Sequence, residues 1–250
     1  MSSVQVRTVI VPLGGRTVSA STWSSIDIEA GAPRRAPSLA EQTYESLKTW
    51  IVRGDLEPGA ALSENDLSRR FAISRSPLRE AIRRLQDEGL LEASGPRGFS
   101  VPPLTVDYVR QVYGVRAALE VAAASSAPPL PAADIKLWDS KLEDISQALS
   151  NGDLGPFNES DFEFHDLFIT RCGNPLLIRQ THRLHAHVQR ILNYAGKFAA
   201  HTQTSFEEHL AIFEALRSGD HKAIASSVAE HIENVSTRLV NQLDEEPKAP

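Results

Sequence analysis

Four side chains in the C-terminal half of the chain combine ligand chemistry with helical spacing. Asp161 and His165 are four residues apart, and Phe157, Phe164, Phe168 and Cys172 recur around them at the same period. Both polar side chains therefore belong to the inward face of one helix. His209 falls on a stripe with Phe206, Leu210, Phe213 and Leu216, and His231 on one with Val228, Ile232, Val235 and Leu239. Three imidazoles and a carboxylate in an apolar interior satisfy one another poorly, but they bind a divalent metal ion such as Zn, Ni or Mn well. The alternative is a set of core histidines, each hydrogen-bonded to a partner of its own. Four such ligands fit either a closed tetrahedral site or an octahedral one with two open positions. Open positions would take a small carboxylate or hydroxy acid, with a basic residue holding its far end. Arg116 is the first candidate for that contact, although Glu120 four residues on offers it an intrahelical ion pair instead. Arg190 is the second.

The remaining histidines carry less. His182, His185 and His187 are spread around one helix beside a Leu184, Val188, Ile191 stripe, which favours surface or supporting roles. His201 and His221 lie near helix starts and read as solvated. A metal with open positions can also activate water. No nucleophile motif and no general base besides the ligands accompanies these residues, so the chain reads as no enzyme. A sensor of metal alone remains the other alternative.

A second chemistry lies near the N-terminal end. Arg75, Arg79 and Arg83 recur every four residues, with Ser74 and Ser76 beside them, opposite a buried stripe of Leu78, Ala81, Ile82 and Leu85. Arginine and serine at one helix end suit guanine edges and phosphates, which makes double-stranded DNA the expected partner. Taken alone, the arginine run would be no more than a solvated face.

The elements around these residues have the order that a DNA reader needs. Ser63-Glu64-Asn65-Asp66 caps a short positioning helix, and a turn at Ala72-Ile73 leads to the arginine-bearing helix, capped by Ser74 or Ser76 with Pro77 in its first turn. Leu90–Ala93 and Phe99–Val101 read as two strands joined by Ser94-Gly95-Pro96-Arg97-Gly98, with Arg97 at the tip. From Thr105 onward the pattern is helical, with six helices expected at 105–125, 132–150, 156–172, 175–195, 200–218 and 220–243. The fold class is thus mainly α: an N-terminal winged helix-turn-helix and a C-terminal antiparallel bundle of six helices.

Over Leu39 to Val101 the run Leu56-Glu57-Pro58-Gly59, Leu62-Ser63-Glu64, Ser74-Arg75-Ser76-Pro77-Leu78-Arg79-Glu80-Ala81, Glu88-Gly89-Leu90 and Arg97-Gly98 resembles the GntR family of bacterial regulators. The resemblance implies that Ser74, Arg75, Ser76, Arg79 and Gly98 lie at DNA. Some members carry arginine where this chain has Asn65, so one base contact differs. Asp-x-x-x-His with two later helix histidines resembles the FCD effector domain of the FadR subfamily, in its six-helix, VanR-type form. That implies a metal at Asp161, His165, His209 and His231, with open positions for an organic acid. A homodimer on an inverted repeat, acting as a repressor, is the corresponding expectation.

At 250 residues and 41% hydrophobic content the chain can fill more than one core. The net charge of -6 is unevenly placed: residues 38–103 are near balance, and the acidic excess lies in 104–250. DNA affinity follows local potential, so the total does not exclude it. The expected organisation is a flexible extension over 1–37, in which Arg34-Arg35 could touch phosphate, a DNA-binding domain over 38–103, a helical domain over 104–243, and a short tail. Pro102-Pro103 marks the boundary between the two domains. The absence of a long apolar segment or secretory signal, with Cys172 as the lone cysteine, leads to a cytoplasmic expectation.

Overall fold

The computed structural model describes residues 36–95, 98–195 and 202–245. Arg34-Arg35, Arg97 and His201 lie outside the described residues.

The N-terminal part begins with α1 (Leu39–Arg53), then β1 (Ala61–Ser63), α2 (Glu64–Phe71), α3 (Arg75–Asp87), β2 (Glu92–Ala93) and β3 (Gly98–Ser100). Ser63 caps α2 by accepting a hydrogen bond from the Asp66 N–H at 3.1 Å. Ala72 ends that helix in the left-handed region, at φ 53°, which turns the chain sharply into α3. Ser74 is the N-cap of α3, without a side-chain cap bond, and Ser76 lies inside the helix. Leu78, Ala81, Ile82 and Leu85 are all buried, as their period requires, against Tyr44, Leu47 and Ile51 of α1.

The wing is a three-stranded antiparallel sheet in the order β1-β3-β2, with Phe99 of the middle strand buried between Leu62 and Ala93. β1 has no counterpart in the sequence reading. Three residues are too few to show alternation, and only pairing with β3 makes them a strand. Leu90 and Leu91, expected in a strand, instead bury their side chains just before β2.

Six helices follow: α4 (Val106–Ala124), α5 (Ala132–Ser150), α6 (Gly155–Ile169), α7 (Pro175–Ala195), α8 (Thr202–Ser218) and α9 (His221–Glu245). α4 packs on α9, α7 and α6, and α8 packs on α9. Their core includes Val109, Tyr113, Phe164, Phe168, Phe213, Val228 and Ile232, each fully buried side chain contributing about 1.5–3 kcal/mol. Leu210 is a correction: it is 39% exposed, so the α8 stripe runs through Phe206, Phe213 and Leu216 without it.

One helix belongs to both cores. Ala186 of α7 is buried in the N-terminal cluster, while Val188 and Ile191 are buried in the bundle. Among the described residues no helix is long and apolar enough to cross a membrane.

Candidate functional site

Asp161 and His165 on α6, His209 on α8 and His231 on α9 come together, all buried. Ligand nitrogens of the three histidines lie within 4.8 Å of one another. The His209 ring stacks on Phe164 at a centroid distance of 4.3 Å, and its Nε2 is 3.6 Å from Asp161 Oδ1, too far for a hydrogen bond. His209 Nε2, His231 Nε2 and Asp161 Oδ2 are buried without a hydrogen-bond partner. Such buried atoms are costly to leave unmet, and their lone pairs are those a divalent ion takes, with Asp161 beside the three converging histidines through its contact with His209. The donor set therefore fits a metal.

At His209 and His231 the surroundings favour the neutral imidazole, as ligation requires. Burial, reinforced by His231, His165 and Arg116, holds His209 well below the usual imidazole range. Burial also lowers His231, although its bond to Glu208 works the other way.

Two carboxylates that the sequence reading did not place here aim the rings. Glu120 Oε2 is 2.7 Å from His165 Nδ1, and Glu208 Oε2 is 2.8 Å from His231 Nδ1. A carboxylate accepts only, so both Nδ1 atoms donate; the His231 Nε2 lone pair is left unmet in the cluster, while His165 Nε2 accepts from Arg116 Nη2 at 3.1 Å. Glu208 is in turn gripped by both Arg238 nitrogens at 2.8 Å, and this arginine with His231 holds its carboxyl down at about 2 against the opposing effect of burial. The signal for Glu208 was its adjacency to His209, which by itself points it to a different helix face; only α9 packing on α8 brings it to His231.

Arg116 is buried and makes the intrahelical ion pair with Glu120, together with a contact to His165 that the sequence did not suggest. Its Nε donates to Glu120 Oε1 at 2.7 Å, and its Nη2 lies 3.1 Å from His165 Nε2. Burial opposes the Glu120 charge, but Arg116 and His165 overcome it and keep the carboxyl below its ordinary range. Arg116 also lines a cavity of about 340 Å³ with Asp161, Asn193, Ser205, His231 and Arg238, a volume fit for a small organic anion.

Arg190 is elsewhere. It does not line that cavity; its guanidinium donates to the Pro102 carbonyl and, at 3.3 Å, to the Tyr108 hydroxyl. The expectation of an effector contact is corrected accordingly, since the α7 face bearing Arg190 meets the interdomain connection. His187 takes the supporting one of the two roles expected for it, half-buried in the same junction and bonded to Tyr108 Oη at 2.6 Å and to the Glu88 carbonyl at 2.8 Å. Asn193 completes the contact by donating to the Val52 carbonyl at 2.8 Å.

The α3 face expected to meet DNA is exposed. Ser74, Arg75, Ser76, Arg79 and Arg83 all lie on the outer side of α3. Arg75 Nη2 donates to Asn65 Oδ1 at 3.0 Å, and Arg79 Nε to Glu64 at 3.0 Å. Asn65 thus orients a neighbouring arginine from α2. Gly98 is required sterically, because a Cβ there would overlap the Ser94 carbonyl oxygen in the wing hairpin.

Comparison with known proteins decides the family. Residues 39–101 match the bacterial regulatory proteins of the gntR family, and residues 111–234 match the FCD domain. The uncharacterized HTH-type transcriptional regulator YdhC of Bacillus subtilis is 31% identical over 211 residues, covering 82% of this chain and 92% of that protein. The chain belongs to the GntR family. Among its relatives is the HTH-type transcriptional repressor RspR of Escherichia coli, 29% identical over 207 residues and spanning 82% of this chain and 90% of its own length. The solved structure of E. coli McbR/YncC superposes with a TM-score of 0.66 at 25% identity, over 82% of this chain and 98% of that one. A regulator from Rhodococcus sp. RHA1, at 20% identity and a TM-score of 0.65, shares the fold. This GntR-family chain, with its FCD domain, is therefore a transcription regulator that binds DNA through its winged helix, and not an enzyme.

Proposed function

We propose that the protein is a ligand-responsive repressor, in which a divalent metal held by Asp161, His165, His209 and His231 receives a small carboxylate. The observation that carries this reading is the set of orphaned atoms, His209 Nε2, His231 Nε2 and Asp161 Oδ2, beside a 340 Å³ cavity. When bound, the ion would supply positive charge for chelation of the carboxylate. Arg116 and Arg238 border the same cavity and can hold the anion's far end with charge-assisted hydrogen bonds. A homodimer reads an inverted repeat, because one recognition helix covers only a few base pairs and two-fold symmetry doubles the readout. Repression is favoured by the relative named as a repressor.

The signal passes through α7 as well as through Pro102-Pro103. Asn193 both lines the cavity and bonds Val52 of α1, and His187 one turn and a half earlier bonds the end of α3. A ligand alters DNA affinity only by binding the two arrangements of these contacts unequally, with a coupling of roughly 1–3 kcal/mol.

The test uses DNA selected by the protein from a random pool. Binding is titrated with Zn2+ or Ni2+ alone, and then with metal plus a panel of hydroxy and dicarboxylic acids. A response that needs both metal and acid is expected. A response to metal alone would replace the proposal with a metal sensor, and no response to either would remove the switch.

A further inference from the structure

A second constellation of ligand atoms lies outside the buried cluster. His182 and His185 are one turn apart on α7, which sets them on one face with ring centroids 5.0 Å apart. Asp166 reaches them from α6, and its Oδ1 is 3.0 Å from His182 Nε2. One ligand atom from each of the three residues falls within 4.8 Å of the others.

The ion pair of Asp166 with His182 accounts for only part of this arrangement. His185 has no hydrogen bond to a described residue, and its ring rests against Phe162 at 4.5 Å. Burial brings its imidazole down to about 4, against the pull of Asp166 and with the neighbouring His182 adding to the effect, so one ring nitrogen has its lone pair free at neutral pH. We propose that Asp166, His182 and His185 form a second divalent-metal site, which takes a borderline cation such as Zn2+ on two imidazoles and one carboxylate. Such a donor set suits that class of ion, and a single bound ion would satisfy all three side chains at once.

The site differs from the buried cluster in access. The side chains of His182 and Asp166 are 41% and 34% exposed, so an ion enters directly from solvent and keeps water in its remaining positions. Binding there is accordingly weaker than at a buried four-ligand site and exchanges faster. It also ties α6 to α7, the helix that bonds the DNA-binding domain through His187 and Asn193. The proposal does not depend on metal at Asp161, His165, His209 and His231.

The experiment is a Zn2+ binding isotherm on the full chain, by equilibrium dialysis with metal analysis, for wild type and two sets of variants. Wild type should show a tight event and a weaker one. His182→Asn/His185→Gln should lose the weaker event, with at least a 10-fold loss of affinity, and keep the tight one; His182→Asn alone, at an exposed position, serves if the double variant folds poorly. His209→Ala/His231→Ala should keep the weaker event, which separates this site from the buried one. A His182→Asn/His185→Gln isotherm that superimposes on wild type would overturn the proposal, as would a wild type with one event that vanishes in His209→Ala/His231→Ala.

Discussion

His187 on α7 donates from Nε2 to the backbone carbonyl of Glu88, 99 residues earlier, at the C-terminal cap of α3. A carbonyl only accepts, so a proton is on Nε2; in the neutral ring Nδ1 then accepts from the Tyr108 hydroxyl, whose oxygen accepts in turn from Arg190. The chain of donors runs in one direction from the bundle to the end of α3, and it requires a neutral imidazole.

Acid should weaken this junction. Burial holds His187 below the ordinary imidazole range, against the pull of the Glu88 carbonyl, while Arg190, Lys48 and the Glu88 carboxylate act at longer reach. In the unfolded chain the ring protonates near pH 6.5, and in the fold it does so only at lower pH. The unfolded state binds more protons between those values, so the contribution is complete above about pH 6.5 and is lost as pH falls toward the folded value. His187→Gln should cost about 1 kcal/mol at pH 7.5, for a lost hydrogen bond, and flatten the decline of stability as pH falls below about 6.5. Urea unfolding at a series of pH values measures both; an unchanged slope would count against His187 as its source.

Loss of a ligand should lower metal content and thermal stability together. The proposed ion would join α6, α8 and α9, and binding only to the folded state would raise stability by mass action. His209→Ala and His231→Ala are the informative variants. Full metal content in both would mean a core of separately satisfied histidines.

Glu208→Ala should weaken metal affinity roughly 10–100-fold through the freed orientation of His231. The carboxylate bonds His231 at Nδ1 and not at the unpartnered Nε2, so the effect arises from the aiming of the ring. Competition with a chelator reads the affinity, and circular dichroism shows whether helix content is retained.

Arg116→Ala removes the partner of a carboxylate that is equally buried. Breaking a buried pair costs about 3–5 kcal/mol because the remaining charge stays uncompensated. Denaturant unfolding should show that loss, and effector affinity is best compared in Arg116→Lys, which keeps the charge but not the two-sided contact with Glu120 and His165. Equal effector affinity in Arg116→Lys and wild type would assign the anion to Arg238.

Arg75→Ala should reduce binding to selected DNA by roughly 1–3 kcal/mol if a guanine is read, and narrow the gap to random DNA. Asn65→Ala should produce a smaller change in the same direction, since it only tethers Arg75 from α2. Fluorescence anisotropy at fixed salt gives both values, and an unchanged preference in Arg75→Ala would remove it from base reading.

The sequence by itself determined the helices that carry the site. Period-3.6 stripes specify which face of α6, α8 and α9 turns inward, and Asp161, His165, His209 and His231 lie on those faces whatever the neighbours do. The cap at Ser63 and the buried stripe of α3 were equally legible, because each depends on residues only a few positions apart. Tertiary structure alone decided the rest. β1 exists only through pairing with a strand far along the chain, and Glu208 aims His231 only because α9 packs on α8. Arg190 and His187 face the DNA-binding domain through the roll of α7 between two cores, a rotation that no local period encodes. Side-chain spacing states what lies on a face; which partner meets that face depends on packing between distant segments.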